Sequence, residues 1–282
     1  PLSMACPIYN DIKKVPKGIF INDKSLFNGK VEASTKLGNG MAFKSIFTKS
    51  GDTNAVTSNV EFKKTFGKLD LTTKILSSHE SSITIENSSL IPNVNLRVER
   101  TISLPAVKPD GAAAPAPVIT AEYKSPQASL TGSLDAAKHI FNFSVSSKLF
   151  QGLTAGLLAS YKLSDGSFVA PKYRLSYKGA QELEVAAFYE SKDDFGISAV
   201  RDISADTSVG AALIKGVVSL GGEKRLSNAT IKGDVDSKGV VTAQYTTTLP
   251  SSAKVTLNSQ FNALKVADPK AHKVGATVAF SF

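Results

Sequence analysis

At 282 residues, with 42% hydrophobic residues, one cysteine and a formal charge of +9, the chain has room for one large all-β domain or two ordinary ones and cannot rely on disulfides. No run of about 18 apolar residues occurs, which excludes a transmembrane helix, and no apolar stretch of signal-peptide length opens the chain, so secretion is not expected. A membrane β-barrel remains open, because its strands of about 9–11 residues are apolar only at alternate positions.

The first element, in residues 1–25, differs from all that follows. Ile8, Ile12 and Val15 are spaced for one face of a short helix, with Asn10 or Asp11 as its cap. Pro16 and Gly18 interrupt it, and Lys13, Lys14 and Lys17 fall off the apolar stripe.

From residue 26 to 282 the period changes to two. Met41-Phe43-Ser45-Phe47 alternates with Ala42-Lys44-Ile46-Thr48, and Val56-Ser58-Val60-Phe62 with Thr57-Asn59-Glu61-Lys63. Leu69-Leu71-Thr73-Ile75 opposes Lys68-Asp70-Thr72-Lys74, and Val94-Leu96-Val98 opposes Asn95-Arg97-Glu99. Phe141-Phe143-Val145, Tyr173-Leu175-Tyr177 and Leu183-Val185-Ala187-Tyr189 continue the apolar series. The last quarter closes with Val241-Ala243-Tyr245, Lys254 to Asn258 and Lys273 to Phe282. Turn signals such as Ser164-Asp165-Gly166 and Asp236-Ser237-Lys238-Gly239 separate these runs. The spacing predicts roughly seventeen to twenty strands. Residues 105–117, rich in Pro and Ala, cannot form a ladder and read as a long loop inserted between two strands, since alternation resumes on both sides.

So many consecutive hairpins with one oily and one wet face predict a closed barrel. A lumen bounded by that many strands is too wide for side chains to fill, so it is an aqueous channel. A soluble sandwich also alternates, and it stays open as an anion- or lipid-binding β protein that would behave well without detergent.

A pI near 9.4 points to anionic partners. The lysines are scattered singly along strands, which favours a diffuse positive field over a nucleic-acid patch. An anion-preferring pore needs only fixed cations along a wide aqueous path. The cations expected to line it are Lys44, Lys63, Lys68, Lys74, Arg97, Lys172 and Arg174 on the wet face, with Lys13, Lys14 and Lys17 on the N-terminal segment. Glu61, Asp70 and Glu99 share that face, so selectivity should be moderate and salt-sensitive.

Chemistry beyond transport finds no support. His79, His139 and His272 are far apart with no Cys or carboxylate cluster at ligand spacing. Leu220-Gly221-Gly222-Glu223-Lys224 lacks phosphate-loop spacing and sits in a strand pattern, which suggests a barrel bend. Cys6 looks incidental in a flexible terminus, and no Gly-x-Ser-x-Gly occurs. No metal, cofactor or enzymatic activity is expected.

Three segments resemble the mitochondrial porins, or voltage-dependent anion channels. Pro7-Ile8-Tyr9-Asn10-Asp11-Ile12, followed by Lys14 and Lys17, is similar to that family's opening. Ile85-Glu86-Asn87-Ser88-Ser89-Leu90-Ile91-Pro92 resembles its segment before a Gly-Leu-Lys tripeptide. The stretches Asp234 to Val241, Phe261 to Lys265 and His272 to Gly275 resemble its last three strands. Departures are Asn95-Leu96-Arg97 at the tripeptide, Thr73 where some animal members carry a lipid-facing glutamate, and the 105–117 insertion. These mark a divergent, non-animal member.

The resemblance implies a nineteen-stranded barrel with parallel first and last strands and an N-terminal helix inside the lumen. It further implies passage of ATP, ADP, phosphate and small anionic metabolites across the mitochondrial outer membrane. Lys14 and Lys17 match cations that contact nucleotide phosphates in the family. A homo-oligomer or a larger outer-membrane assembly is open, as is a protein-import barrel of the same fold, which would carry a longer N-terminus and a less basic lumen.

Overall fold

The computed structural model describes residues 5–12, 19–21, 27, 29–37, 41–49, 56–77, 80–103, 116–179, 182–250, 252–268 and 271–281. Within them the strands are β1 (Gly29–Lys36), β2 (Met41–Lys49), β3 (Val56–Phe66), β4 (Leu69–Leu76), β5 (Glu80–Ile91), β6 (Val94–Ser103) and β7 (Val118–Lys124). There follow β8 (Ala128–Asp135), β9 (Ile140–Phe150), β10 (Leu153–Lys162), β11 (Ser167–Lys178), β12 (Leu183–Ser191) and β13 (Asp194–Ser204). The last are β14 (Thr207–Ile214), β15 (Val217–Arg225), β16 (Ala229–Asp236), β17 (Val240–Thr248), β18 (Lys254–Asn262) and β19 (Lys273–Ser281).

All nineteen belong to one sheet, each antiparallel to the next, and the sheet closes where β1 meets β19. That closing pair is parallel, from Lys30↔Thr277 to Ser34↔Ser281. An odd number of up-and-down strands cannot close otherwise, because the first and last then run in the same direction. Tight turns permit the meander. Lys215 and Gly216 both take positive φ, 54° and 76°, the two-residue turn whose twist matches the flanking strands. β6 pairs directly with β7, so the Pro/Ala-rich stretch joins neighbouring strands; residues 104–115 themselves lie outside the described set.

Nineteen strands about 4.8 Å apart and tilted about 40° enclose a barrel roughly 38 Å across between backbones. Alternation sorts the side chains. On β17 and β18, Thr242 faces Gln260 and Gln244 faces Asn258 inside, while Val241 faces Phe261 and Tyr245 faces Leu257 outside. The outer residues lie open, Leu220 at 58% and Ile203 at 66%, with no second sheet against them. A sandwich would need a dry core there, so the soluble reading fails. A continuous apolar outer wall with every backbone group paired around the circle is what a bilayer requires.

The side chains most deeply buried lie in the lumen, where the N-terminal segment rests on the wall: Tyr9, Ile12, Ile19 and Phe20 are each 7% exposed or less. Among its described residues the helical element is a 3₁₀ turn over Tyr9–Asp11. Ile8, not Asn10 or Asp11, occupies the N-cap position and offers no side-chain cap. Its described carbonyls bond to strand side chains, those of Cys6 and Pro7 to serines and those of Tyr9, Asn10 and Ile12 to Arg174. Val15, Pro16 and Gly18 lie outside the described residues.

Candidate functional site

The lumen has two kinds of wall. Between β8 and β16 the N-terminal segment lies against inward residues such as Ser129, Ser146, Gly156, Val200, Ala212 and Gly221, with Arg174 and Asp234 as charged partners. Elsewhere the inward positions are charged or polar and face the open lumen.

On the covered side, the Cys6 backbone N–H donates to the Ser125 carbonyl at 2.8 Å. The Ser129 and Ser146 hydroxyls donate to the carbonyls of Cys6 and Pro7. The Cys6 thiol lies 3.8 Å from Ser146 Oγ and is 1% exposed. Cys6 is therefore seated on β8 and β9, not loose in a flexible terminus, because paired serines offer its neighbours hydrogen bonds.

Arg174, on β11, is the centre of the seat. Its Nη1 donates to the carbonyls of Tyr9, Asn10 and Ile12 at 3.2–3.3 Å. Its Nη2 and Nε donate to Glu190 Oε1 at 2.6 and 3.2 Å. The guanidinium lies 4.5 Å over the Tyr9 ring, and only 13% of the side chain is exposed. Arg174 was expected to meet passing anions; it instead closes the carbonyl end of the 3₁₀ turn, where orphan acceptors attract a planar cation. Burial raises the Tyr9 phenol above its ordinary range, with the Arg174 charge acting against that shift.

Further along, Ile19 and Phe20 pack on Val200 and Ala212, and the Ile21 N–H donates to Asp234 Oδ1 at 3.1 Å. Glycines make room. A Cβ on Gly221 would lie 3.2 Å from Ile19 and Phe20, and one on Gly156 would lie 2.6 Å from the Ile12 Cδ1. Gly221 thus serves close approach of the segment, where the sequence suggested a bend. Gly156→Val suits a strand but overfills this floor, at a cost of about 1–3 kcal/mol. It is expected to raise the rate at which a thiol reagent labels Cys6 by about tenfold or more, with barrel circular dichroism unchanged.

On the open side, the expected cations are present but matched. Lys44 sits 3.4 Å from Glu32, Lys63 3.1 Å from Asp70, Lys74 3.4 Å from Glu61, and Arg97 2.7 Å from Glu99. Lys172 reaches Glu190 at 4.0 Å. Half-exposed pairs of this kind contribute under about 1 kcal/mol each, so the wall remains polar and charged without a strong field of one sign. Lys68 is displaced from the wall: with Gly67 it makes the turn between β3 and β4 and lies exposed at the rim. The hairpin consumes the residue that alternation had placed inside. Lys13, Lys14 and Lys17 lie outside the described residues. Thr73 faces outward beside Phe62 and Ile83.

Glu190, Asp234, Ser129 and Ser146 were not singled out from sequence. A signal existed in the strands that are apolar on both faces, such as Val185-Ala186-Ala187-Phe188 and Ala211-Ala212-Leu213-Ile214. Lipid covers one face and the N-terminal segment the other.

Among the described residues no helix is long and apolar enough to cross a membrane and no group of metal-ligating side chains gathers. A closed barrel with an apolar exterior, a wide polar lumen and a segment lodged inside defines an integral membrane pore. Residues 5–275 match the family described as Eukaryotic porin. The chain belongs to that family. Among curated proteins none matches it. Among solved structures it is similar to mutants of Rh. blastica porin. One is 11% identical with a TM-score of 0.46, covering 78% of this chain and 88% of that one. Another is 11% identical with a TM-score of 0.47, covering 89% and 95%. A structure described as "Asymmetric conductivity of engineered proteins" shows 11% identity and a TM-score of 0.48, covering 89% and 96%.

Proposed function

We propose that this porin is a wide, weakly anion-selective, voltage-dependent channel of the mitochondrial outer membrane, passing ATP, ADP, phosphate and other small anionic metabolites. The observation that carries the proposal is the open half of the lumen, where cations and acids alternate at strand positions around a path too wide to strip hydration shells. Such a wall admits hydrated solutes and discriminates only by net field. The chain's excess of +9 sets the sign of that field, and Lys13, Lys14 and Lys17 contribute part of it. No residue acts as acid, base or nucleophile in this reading.

The test is reconstitution in a planar bilayer under a KCl gradient. Large conductance steps with a modest anion-preferring reversal potential are expected, and the preference should shrink as salt rises. Replacing Lys13, Lys14 and Lys17 together by Glu should move the reversal potential toward cations. Cation preference in the unmodified protein, with block by presequence-like cationic peptides, would assign the barrel to protein import instead.

A further inference from the structure

A recess beside the barrel's closing seam gathers cations from three strands. Its volume is about 380 Å³, and it is lined by Ser34 and Lys36 of β1, Ala42 and Lys44 of β2, and Glu61 and Lys63 of β3. All six stand at inward register positions, so three lysines face one glutamate. The recess lies near the rim where β1 ends and β2 begins. It belongs to the open side of the lumen, not to the β8–β16 wall that meets the described N-terminal residues.

Register sets its geometry. Lys36, Ala42 and Lys63 form one row across β1, β2 and β3, and Ser34, Lys44 and Glu61 form the next row away from the rim. Lys36 and Lys63 are therefore two strands apart, about 9.6 Å between backbones, with only the methyl group of Ala42 between them. Two flexible four-carbon stems can close that distance onto one bound group. A larger residue at position 42 would fill the space, and Lys44 reaches it from the row below.

Each neighbouring acid has a second partner, so the lysines can turn away without stranding a carboxylate. Lys63 meets Asp70 at 3.1 Å, and the Thr65 hydroxyl donates to that carboxylate at 2.6 Å. Lys44 meets Glu32 at 3.4 Å, and Lys30 is paired with Glu32 as well. Glu61 is held by Lys74 at 3.4 Å. Ion pairs as exposed as these exchange readily for another anion. Among the described residues no carboxylate lies within ion-pair distance of Lys36. The five lysines named here against the three acids leave this wall an excess of two positive charges.

No aromatic side chain stands at an inward position of β1, β2 or β3, since Phe43, Phe47, Phe62 and Phe66 hold outward positions. A flat heterocycle would find no stacking partner here, whereas a phosphate finds three donors.

We propose that this recess is a binding station for a diphosphate group, held between Lys36 and Lys63 over Ala42 with Lys44 beneath, and that it reads the phosphates of a solute and not its base. Lysine binds phosphate as a point charge, and a diphosphate spreads its charge over oxygens far enough apart to engage cations on different strands. The volume is at the small end of the roughly 300–1,000 Å³ of small-molecule pockets, which suits a diphosphate better than a whole nucleotide. The inference rests on the channel reading above, which brings such solutes to the lumen, and the station raises their concentration at one mouth.

The test is calorimetric titration of the full chain in detergent micelles at low ionic strength, with inorganic pyrophosphate as the probe. Lys36→Gln is expected to weaken binding by about tenfold, and Lys36→Gln with Lys63→Gln by about a hundredfold. Ala42→Glu should abolish it. Lys178→Gln, which removes the same charge at the same rim on the far side of the barrel, should leave it unchanged. ADP should compete with an affinity comparable to that of pyrophosphate, and adenosine should not compete. Circular dichroism reports the fold of each variant, and the lysine variants decide the point should Ala42→Glu fail to fold. Equal affinity in wild type and in Lys36→Gln with Lys63→Gln overturns the proposal, as does an equal loss in Lys178→Gln or competition by adenosine. Unchanged binding in the lysine variants beside an anion-preferring reversal potential would overturn the station and leave the channel reading standing. Cation preference in the unmodified protein would remove that reading, and the titration would still decide the station.

Discussion

Arg174→Ala is expected to raise the labelling rate of Cys6 by a lumen-permeant thiol reagent by about a hundredfold or more. The substitution removes the donor to three backbone carbonyls of the N-terminal segment and the cation over the Tyr9 ring. It also removes the cation that meets Glu190 at 2.6 Å, a carboxylate with 13% of its side chain exposed. Charge-assisted bonds in such surroundings contribute about 1.5–3 kcal/mol, and the ring contact about 1 kcal/mol more. Even heavily discounted for cooperativity, about 3 kcal/mol of seating energy is lost, which is about two decades in the lifted population. Cys6 is the only cysteine in the sequence and its thiol is seated against the wall, so its reactivity reports the segment directly. Arg174→Lys should fall between the two, since a point charge cannot serve three acceptors and a carboxylate together. An unchanged labelling rate in Arg174→Ala would show that the clamp contributes nothing to the seat.

The second large effect is expected from Ser146→Cys. The native thiol and the Ser146 hydroxyl are 3.8 Å apart, close enough for a disulfide after a small shift of either side chain. Oxidation would tie the segment to β9 at a single place, with no other cysteine to compete. Under the proposed function, the cross-linked channel should conduct normally at low voltage and lose its voltage-driven closures, and reductant should restore them. Closures that persist in fully cross-linked protein would show that the wall, not the segment near Cys6, moves. Together the two variants separate how the segment is held from whether its release closes the pore.

Much of the barrel was legible before folding. Tyr173-Leu175-Tyr177 against Lys172-Arg174-Ser176 names an outward and an inward face whichever strands lie beside it, because the pleat of a single strand sets that period. The strand number was looser, since weak strands such as β1 and β16 carry Gly29 and Gly233 and blur the alternation that betrays stronger ones. Lys44, Lys63, Lys74 and Lys172 stand at the inward positions that alternation gives them, yet their partners were not visible: Lys74 faces Glu61 only because the register of β3 and β4 brings them level. Lys68 was misplaced because alternation alone does not say where a hairpin turns.

The sequence by itself determined which side chains face lipid and which face water, because that division depends on neighbours one and two residues apart. Only the tertiary structure decided the parallel closure of β1 on β19, the turning of Arg174 from a pore cation into a clamp, and the burial of Cys6. Each joins residues more than a hundred positions apart, as Arg174 and Tyr9 are with 165 residues between their numbers. The free energy of such contacts exists only once the barrel has closed and set its lumen wall against the N-terminal segment. The polar-to-apolar change of the inner face from β12 to β15 was the local trace of that contact, and its meaning required knowing what lay across it.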